Sequence, residues 1–225
     1  ESEGKKIIHF EIGDPSFSTP KNIIDAAQDA LNQNKTHYSD SFGVLEFRKA
    51  ISQYTSKHWG FKPNLSQILV SPANSLIDFS LRCIANPGEE VILPDPCFPT
   101  YSSVLKYTGI KPAYIPLKAE NDYRIQPNDI AMAITSKTKA ILINSPHNPT
   151  GSVLKKKEII QIAEIAKDNG IFLISDEVYS RMIFQSKHYS PSYLDECKER
   201  TLIINSMSKI FAMSGWRVGY AIGPE

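Results

Sequence analysis

"KAILINSPHNPTGSVLKKKEIIQIAEIAKDNGIFLISDEVY", residues 139–179, reads as one complete strand–helix–strand unit. Its first run, Lys139–Asn144, and its last, Ile171–Ser175, are apolar on successive residues rather than alternate ones. That is the pattern of short strands covered on both faces, as in a parallel sheet. Between them Ile159, Ile162, Ala163 and Ala166 follow the i, i+3, i+4, i+7 spacing, which predicts a helix from about Lys155 to Asn169, stopped by Gly170. Lys155-Lys156-Lys157 reads as the solvated first turn of that helix. Working outward, the same kind of run predicts strands at Gln67–Ser71, Glu90–Pro94, Lys111–Pro116, Thr201–Asn205 and Arg217–Ile222. A further helix is expected after Thr19-Pro20, an N-cap followed by Pro at the first helical position, with Ile23, Ile24, Ala27, Ala30 and Leu31 on one face. Another follows Gly43, with Leu45, Ile51 and Tyr54 among its apolar positions. Alternating strands and helices predict an α/β fold: a mostly parallel seven-stranded sheet sandwiched by helices.

Bulk properties exclude several function classes. With 225 residues, 41% of them hydrophobic, the chain can bury a substantial core. A formal net charge of +1 gives no electrostatic basis for a nucleic-acid or membrane partner. No apolar run approaches the ~20 residues of a membrane span. Cys83, Cys97 and Cys197 are odd in number and widely spaced, which fits neither a disulfide framework nor a metal site and favours a reducing, cytoplasmic location. The five histidines are scattered, with no paired spacing, so no metal is expected. Asn34-Lys35-Thr36 and Asn64-Leu65-Ser66 match the glycosylation pattern by chance. The sequence opens "ESEGKK" without an initiator Met and stops at "GYAIGPE" just past a strand, so a portion of a longer polypeptide is expected.

In a sheet of this kind ligands bind beyond the C-terminal strand ends, and the chemically capable residues fall there. "AILIN" runs into Ser145–Gly151, "IFLIS" into Asp176-Glu177-Val178-Tyr179, and "TLIIN" into Ser206-Met207-Ser208-Lys209. Neither G-x-G-x-x-G nor the P-loop pattern occurs. Ser206-Met207-Ser208-Lys209 reads S-x-x-K, but its S-D-N and K-T-G companions are missing; Ser39-Asp40-Ser41 is the nearest stretch to the first. Taken singly, each residue has an ordinary reading. Asp176 can cap a helix, Asn148 before Pro can shape a turn, Ser206 and Ser208 can cap the helix after their strand, and Phe98, Tyr38 and Arg217 can be plain aromatics and a strand-end charge. Taken together they fit one cofactor. A desolvated lysine amine forms a Schiff base with an aldehyde, and pyridoxal phosphate wants that lysine with an Asp on its ring nitrogen. A phenol and a carboxamide suit its 3-oxygen, and an arginine with clustered hydroxyls suits its phosphate.

Across nearly its whole length the chain resembles the class I/II pyridoxal-phosphate aminotransferases, the aspartate aminotransferase superfamily of fold type I. The resemblance rests on "HFEIGDPSF", "HYSDSFGVLEFRKAI", "VSPANSLIDF", "PDPCFPTY", "NSPHNPTG", "SDEVY" and "SMSKIFAMSGWRVG", in the family's order. It implies that Lys209 holds the cofactor and then serves as acid and base, that Asp176 pairs with the ring nitrogen, and that Tyr179 and Asn148 meet the 3-oxygen. It implies that Phe98 stacks on the ring, and that Ser206, Ser208, Arg217 and the turn Ala73-Asn74-Ser75 hold the phosphate. Tyr38 would reach the neighbouring subunit's cofactor in a homodimer, and Gly13 and Asn148 would face the substrate carboxylate. The implied activity is ping-pong transfer of an amino group from an amino acid to a 2-oxo acid. Residues 1–18 would form a segment near the substrate, and 19–225 the cofactor-binding large domain. A C-terminal small domain, carrying the arginine that grips the α-carboxylate, has no counterpart here. The family usually has Gly where this chain has Ala73, a departure that bears on cofactor affinity because a Cβ restricts positive φ. The same residues also serve β-elimination from sulfur amino acids or cyclopropane-forming synthesis, and a non-catalytic cofactor-binding module remains an alternative.

Overall fold

The apolar runs become strands of one sheet, and the order of those strands explains why the polar clusters meet. The computed structural model describes Gly4, residues 6–9 and residues 12–225. Phe10 and Glu11 of the "HFEIGDPSF" motif, and residues 1–3 and 5 of the expected N-terminal segment, lie outside the described residues. The strands are β1 (Ile68–Val70), β2 (Glu90–Asp95), β3 (Lys111–Pro116), β4 (Thr138–Asn144), β5 (Phe172–Asp176), β6 (Thr201–Ser206) and β7 (Gly219–Ile222). Their spatial order is β1-β7-β6-β5-β4-β2-β3. The five strands from β3 to β6 pair in parallel, and β7 pairs antiparallel with both β6 and β1. Only β7 therefore runs against the rest, and the sheet is mostly parallel as the runs predict.

Alternation along each strand explains the two covered faces. Val91 and Leu93, Ala140 and Leu142, Ile174, Ile204 and Ala221 point to one side. There they meet Leu76, Ile77 and Leu81 of α3 (Ala73–Ile84) and Tyr101 and Leu105 of α4 (Pro99–Thr108). Ile92, Ile141, Ile143 and Leu173 point to the other side, against Ile130 of α5 (Pro127–Ala133) and Ile159, Ile162 and Ala166 of α6 (Lys156–Asp168). Ile51 of α2 (Leu45–Trp59) covers the β1–β7 end with Ile68, Ile203, Tyr220 and Ile222. Two single-turn helices, α7 (Ser192–Asp195) and α8 (Met207–Ile210), flank β6. The edge strand β3 carries Pro112 and Pro116, residues that a sheet edge tolerates.

Three local expectations need correction. Arg217 is not in a strand; it sits at φ 56° after the short 3-10 turn Ser214–Trp216, and β7 begins at Gly219. Thr19 does not cap the first helix. Its hydroxyl donates to the Ala212 carbonyl, while Pro20 precedes α1 (Lys21–Asn32) without a side-chain cap. That helix buries no residue, and Leu31 on its apolar face is 62% exposed. Elsewhere the strand boundaries shift by a residue or two, which places Asp176 and Ser206 as the last residues of their strands.

One close approach fixes the end of the sheet. A Cβ on Gly219 would lie 2.8 Å from the Asn205 carbonyl oxygen, 2.9 Å from that of Ser71 and 3.0 Å from the Ala73 nitrogen. Gly219 also accepts a hydrogen bond from the Ser71 amide at 3.1 Å. Glycine therefore lets the Ser71–Ala73 turn lie against β7. Gly219→Ala is expected to cost about 1–3 kcal/mol through overpacking against backbone, read as a lower urea midpoint with an unchanged m-value.

Candidate active site

From β2 the chain goes outward to β3, then crosses to the other flank of β2 to form β4. The connections leaving the C-terminal ends of β2 and β4 thus diverge, which is where open α/β sheets form a ligand crevice. The β2–β4 ladder stops at Ile92 opposite Ile141, although β2 continues to Asp95 and β4 to Asn144. A cleft of ≈ 1070 Å³ lies here.

At its floor is Asp176, 6% exposed and paired across the sheet with Asn144. Its Oδ1 accepts the Val178 amide at 3.1 Å, the turn chemistry that the residue type allows on its own. Its Oδ2 accepts the hydroxyl of Tyr101 at 2.6 Å. Burial pushes the Asp176 carboxyl up to about 6, against the two hydrogen bonds that favour the charged form. Asn144 fixes the backbone on both sides. Its Nδ2 donates to the Asp176 carbonyl at 3.0 Å and its Oδ1 accepts the Asn148 amide at 2.7 Å. Asn148 Nδ2 in turn donates to the Tyr179 hydroxyl at 3.4 Å. Burial and the Asp176 charge hold that half-buried phenol protonated. Phe98, just before α4, lines the cleft and meets Tyr101 edge-to-face at 5.6 Å. Neighbouring His147 is also buried, and burial lowers its imidazole to about 4, so it is neutral at physiological pH.

Lys209 is half-buried in the wall rather than fully desolvated, one turn beyond the end of β6, and its Nζ donates to the Gly13 carbonyl. Ser206 caps α8, accepting the Ser208 amide at 3.0 Å, and its hydroxyl donates to that of Ser208 at 2.9 Å. Capping and lining are thus the same serines in the same place. Arg217 lines the cleft but is exposed, with Nη1 donating to the Ser214 carbonyl at 2.6 Å. Ala73 opens α3 with an ordinary negative φ, so its Cβ costs the turn nothing. The first amides of that 12-residue helix have no acceptor within the helix and face the cleft with Ala73 and Asn74. Two expected residues do not line it: Ser75, and Tyr38, whose side chain is fully exposed. Tyr101, Asn144 and Gly219 were not singled out by sequence. Each acts through a partner at least 30 residues away, which no local pattern marks.

Residues 5–225 match the family described as aminotransferase class I and II. The chain belongs to the class I and II aminotransferases. It is 40% identical, over its whole length, to (5-formylfuran-3-yl)methyl phosphate transaminase of Methanocaldococcus jannaschii, and 40% identical over 98% of its length to aspartate aminotransferase of Pyrococcus abyssi. A mutant aspartate aminotransferase of Thermus thermophilus superposes with a TM-score of 0.95 over 99% of this chain, at 32% identity. In each case the chain spans 58% of the other protein's length. Class I and II aminotransferases depend on pyridoxal phosphate.

This chain's residues fit that cofactor. Asp176 is a buried acid whose hydrogen-bond partners among the described residues are both neutral, so a protonated pyridine nitrogen would supply the missing countercharge. The α3 N-terminus, Ser206, Ser208 and Arg217 offer donors for a phosphate.

Linkage gives that misfit a measurable sign. The Asp176 carboxyl rises from an ordinary 3.8 to about 6, so between those values the folded, cofactor-free protein binds more protons than the unfolded chain, and stability falls as pH rises. Asp176→Asn removes this loss. The stability difference between variant and wild type should be near zero at pH 4 and grow to on the order of 3 kcal/mol in the variant's favour by pH 7, measured by urea titration of cofactor-free protein.

Proposed function

We propose that the protein is a pyridoxal-phosphate-dependent aminotransferase that moves an amino group from an amino acid to a 2-oxo acid by a ping-pong mechanism. The observation that carries this reading is the meeting, in one cleft, of the Lys209 amine with a buried acid whose hydrogen-bond partners among the described residues are neutral. Bound there, pyridoxal phosphate supplies an aldehyde that captures amines and a ring that accepts electron density. Lys209 Nζ would hold the cofactor at its aldehyde and would serve as the base and acid that carries a proton at the substrate's Cα. Asp176 keeps the ring nitrogen protonated. Tyr179 and Asn148 would meet the 3-oxygen, and Phe98 would lie against the ring. Ser206, Ser208, Arg217 and the amides of Ala73 and Asn74 would take the phosphate.

Gly13 and Asn148 face the substrate α-carboxylate in this reading. The exposure of Tyr38 suits a role toward a second copy in a homodimer with shared sites. Residues 1–18 form the substrate-side segment, 19–225 the cofactor-binding domain, and the protein works in the cytoplasm. The similar proteins are named for furan-phosphate, aspartate and arginine–pyruvate transamination, so this fold admits varied side chains.

Lys209→Ala in the full-length protein is expected to lower transamination by at least about 100-fold, and borohydride treatment of the wild type with cofactor should tag Lys209 in a peptide map. Near-normal keto-acid production by the variant would overturn the assignment.

A further inference from the structure

We propose that Tyr101 is a positioning residue for this reaction: its hydroxyl fixes the rotation of the Asp176 carboxyl and keeps it ionised for the cofactor's ring nitrogen. The proposal rests on the aminotransferase reading above. Its basis is geometric. Tyr101 is fully buried in the first turn of α4, and its hydroxyl donates to Asp176 Oδ2 at 2.6 Å from 75 residues away. The Val178 amide holds the other oxygen. With one donor on each oxygen the carboxyl cannot rotate without breaking a bond, and each oxygen keeps a further lone pair for a ligand. A carboxylate accepts only, so the phenol must be the donor, and a donor to the charged form favours that form. Asp176 in turn discourages the phenol from ionising, as does its burial. The same ring braces Phe98 edge-to-face, at an interplanar angle of 78°. One side chain thus supports both the ring-nitrogen partner and the aromatic wall of the site.

The titratable groups facing Asp176 are Tyr101 from α4, Glu177 just past the end of β5, and Tyr179 beyond it; Cys97 acts on Tyr101 from the loop before α4. Glu177 disfavours ionisation of Asp176, which leaves the Tyr101 hydroxyl and the Val178 amide as the groups that oppose burial. The Glu177 carboxylate is engaged elsewhere, by Ser175, Ser190 and His188 at 3.0, 2.6 and 2.9 Å.

The test uses full-length protein. In the cofactor-free form, infrared difference titration follows the carboxyl band that Asp176→Asn abolishes. Tyr101→Phe, which keeps the ring and removes only the donor, is expected to raise the proton affinity of Asp176 about tenfold, moving its midpoint up by roughly one pH unit. The acid limb of the kcat/KM profile of the reconstituted enzyme should move the same way. Incorporating 3-fluorotyrosine at 101, a more acidic phenol and stronger donor, should move the midpoint down. This second measurement decides the matter if the phenylalanine variant does not fold. A midpoint unmoved by the phenol's donor strength, or moved in the same direction by both changes, overturns the proposal and identifies Tyr101 as packing alone. Borohydride tagging of Lys209 in the wild type is read in parallel. Its absence would sink the aminotransferase reading, and the positioning role with it, whereas tagging with an unmoved midpoint sinks the positioning role only.

Discussion

A carboxylate shut away from water with no cation beside it is the constraint around which this site is arranged. Burial of such a group is costly unless it is hydrogen-bonded or paired, and among the described residues Asp176 receives only neutral donors. The nearby candidates for a countercharge are committed elsewhere. Lys209 reaches to Gly13, Arg217 to Ser214, and burial keeps His147 neutral. The protein therefore holds in reserve an interaction that a cationic ligand can complete, at the expense of its own cofactor-free stability.

The opposite end of the cleft follows a different logic, in which structural and binding roles coincide. Ser206 and Ser208 finish β6 and start α8 through their own hydrogen bonds, and the same hydroxyls line the cleft. The turn before α3 lies tight against Gly219, so the first amides of that helix are held at a fixed height above the sheet. Backbone placed this way serves an anion site with no side chain to reorganise. Ala73 is tolerated because the helix begins at that residue with ordinary dihedrals, so the glycine that the resemblance leads one to expect is not required by the backbone.

Much of this was legible in the sequence because it is local. Runs such as "AILIN" and "TLIIN" announce strands covered on both faces, and the polar residues that follow them must gather at the C-terminal ends. What was not legible depends on pairs distant along the chain. Tyr101 closes the stretch "PDPCFPTY" with no role of its own until the fold brings it under Asp176. Asn144 reads as the last residue of a strand until it bridges two loops. Thr19 has the local chemistry of a cap but finds the Ala212 carbonyl instead. The apolar stripe of α1 correctly signals a helix, yet periodicity says nothing about which surface that stripe meets, and among the described residues none of α1 is buried.

The placement of β7 between β1 and β6 has a consequence for biosynthesis. Val70 pairs with Tyr220, about 150 residues later, a span a ribosome covers in roughly 8–30 s at 5–20 residues per second. Through that interval β1 lacks β7, the strand it pairs with, and Ile68, fully covered at the end, has none of the β7 side chains to lie against. The parallel strands from β2 to β6 can assemble in the order of their emergence, while the first strand of the sheet is among the last to be secured. A nascent chain of this protein thus carries β1 as an unpaired apolar strand throughout the synthesis of the residues between β1 and β7.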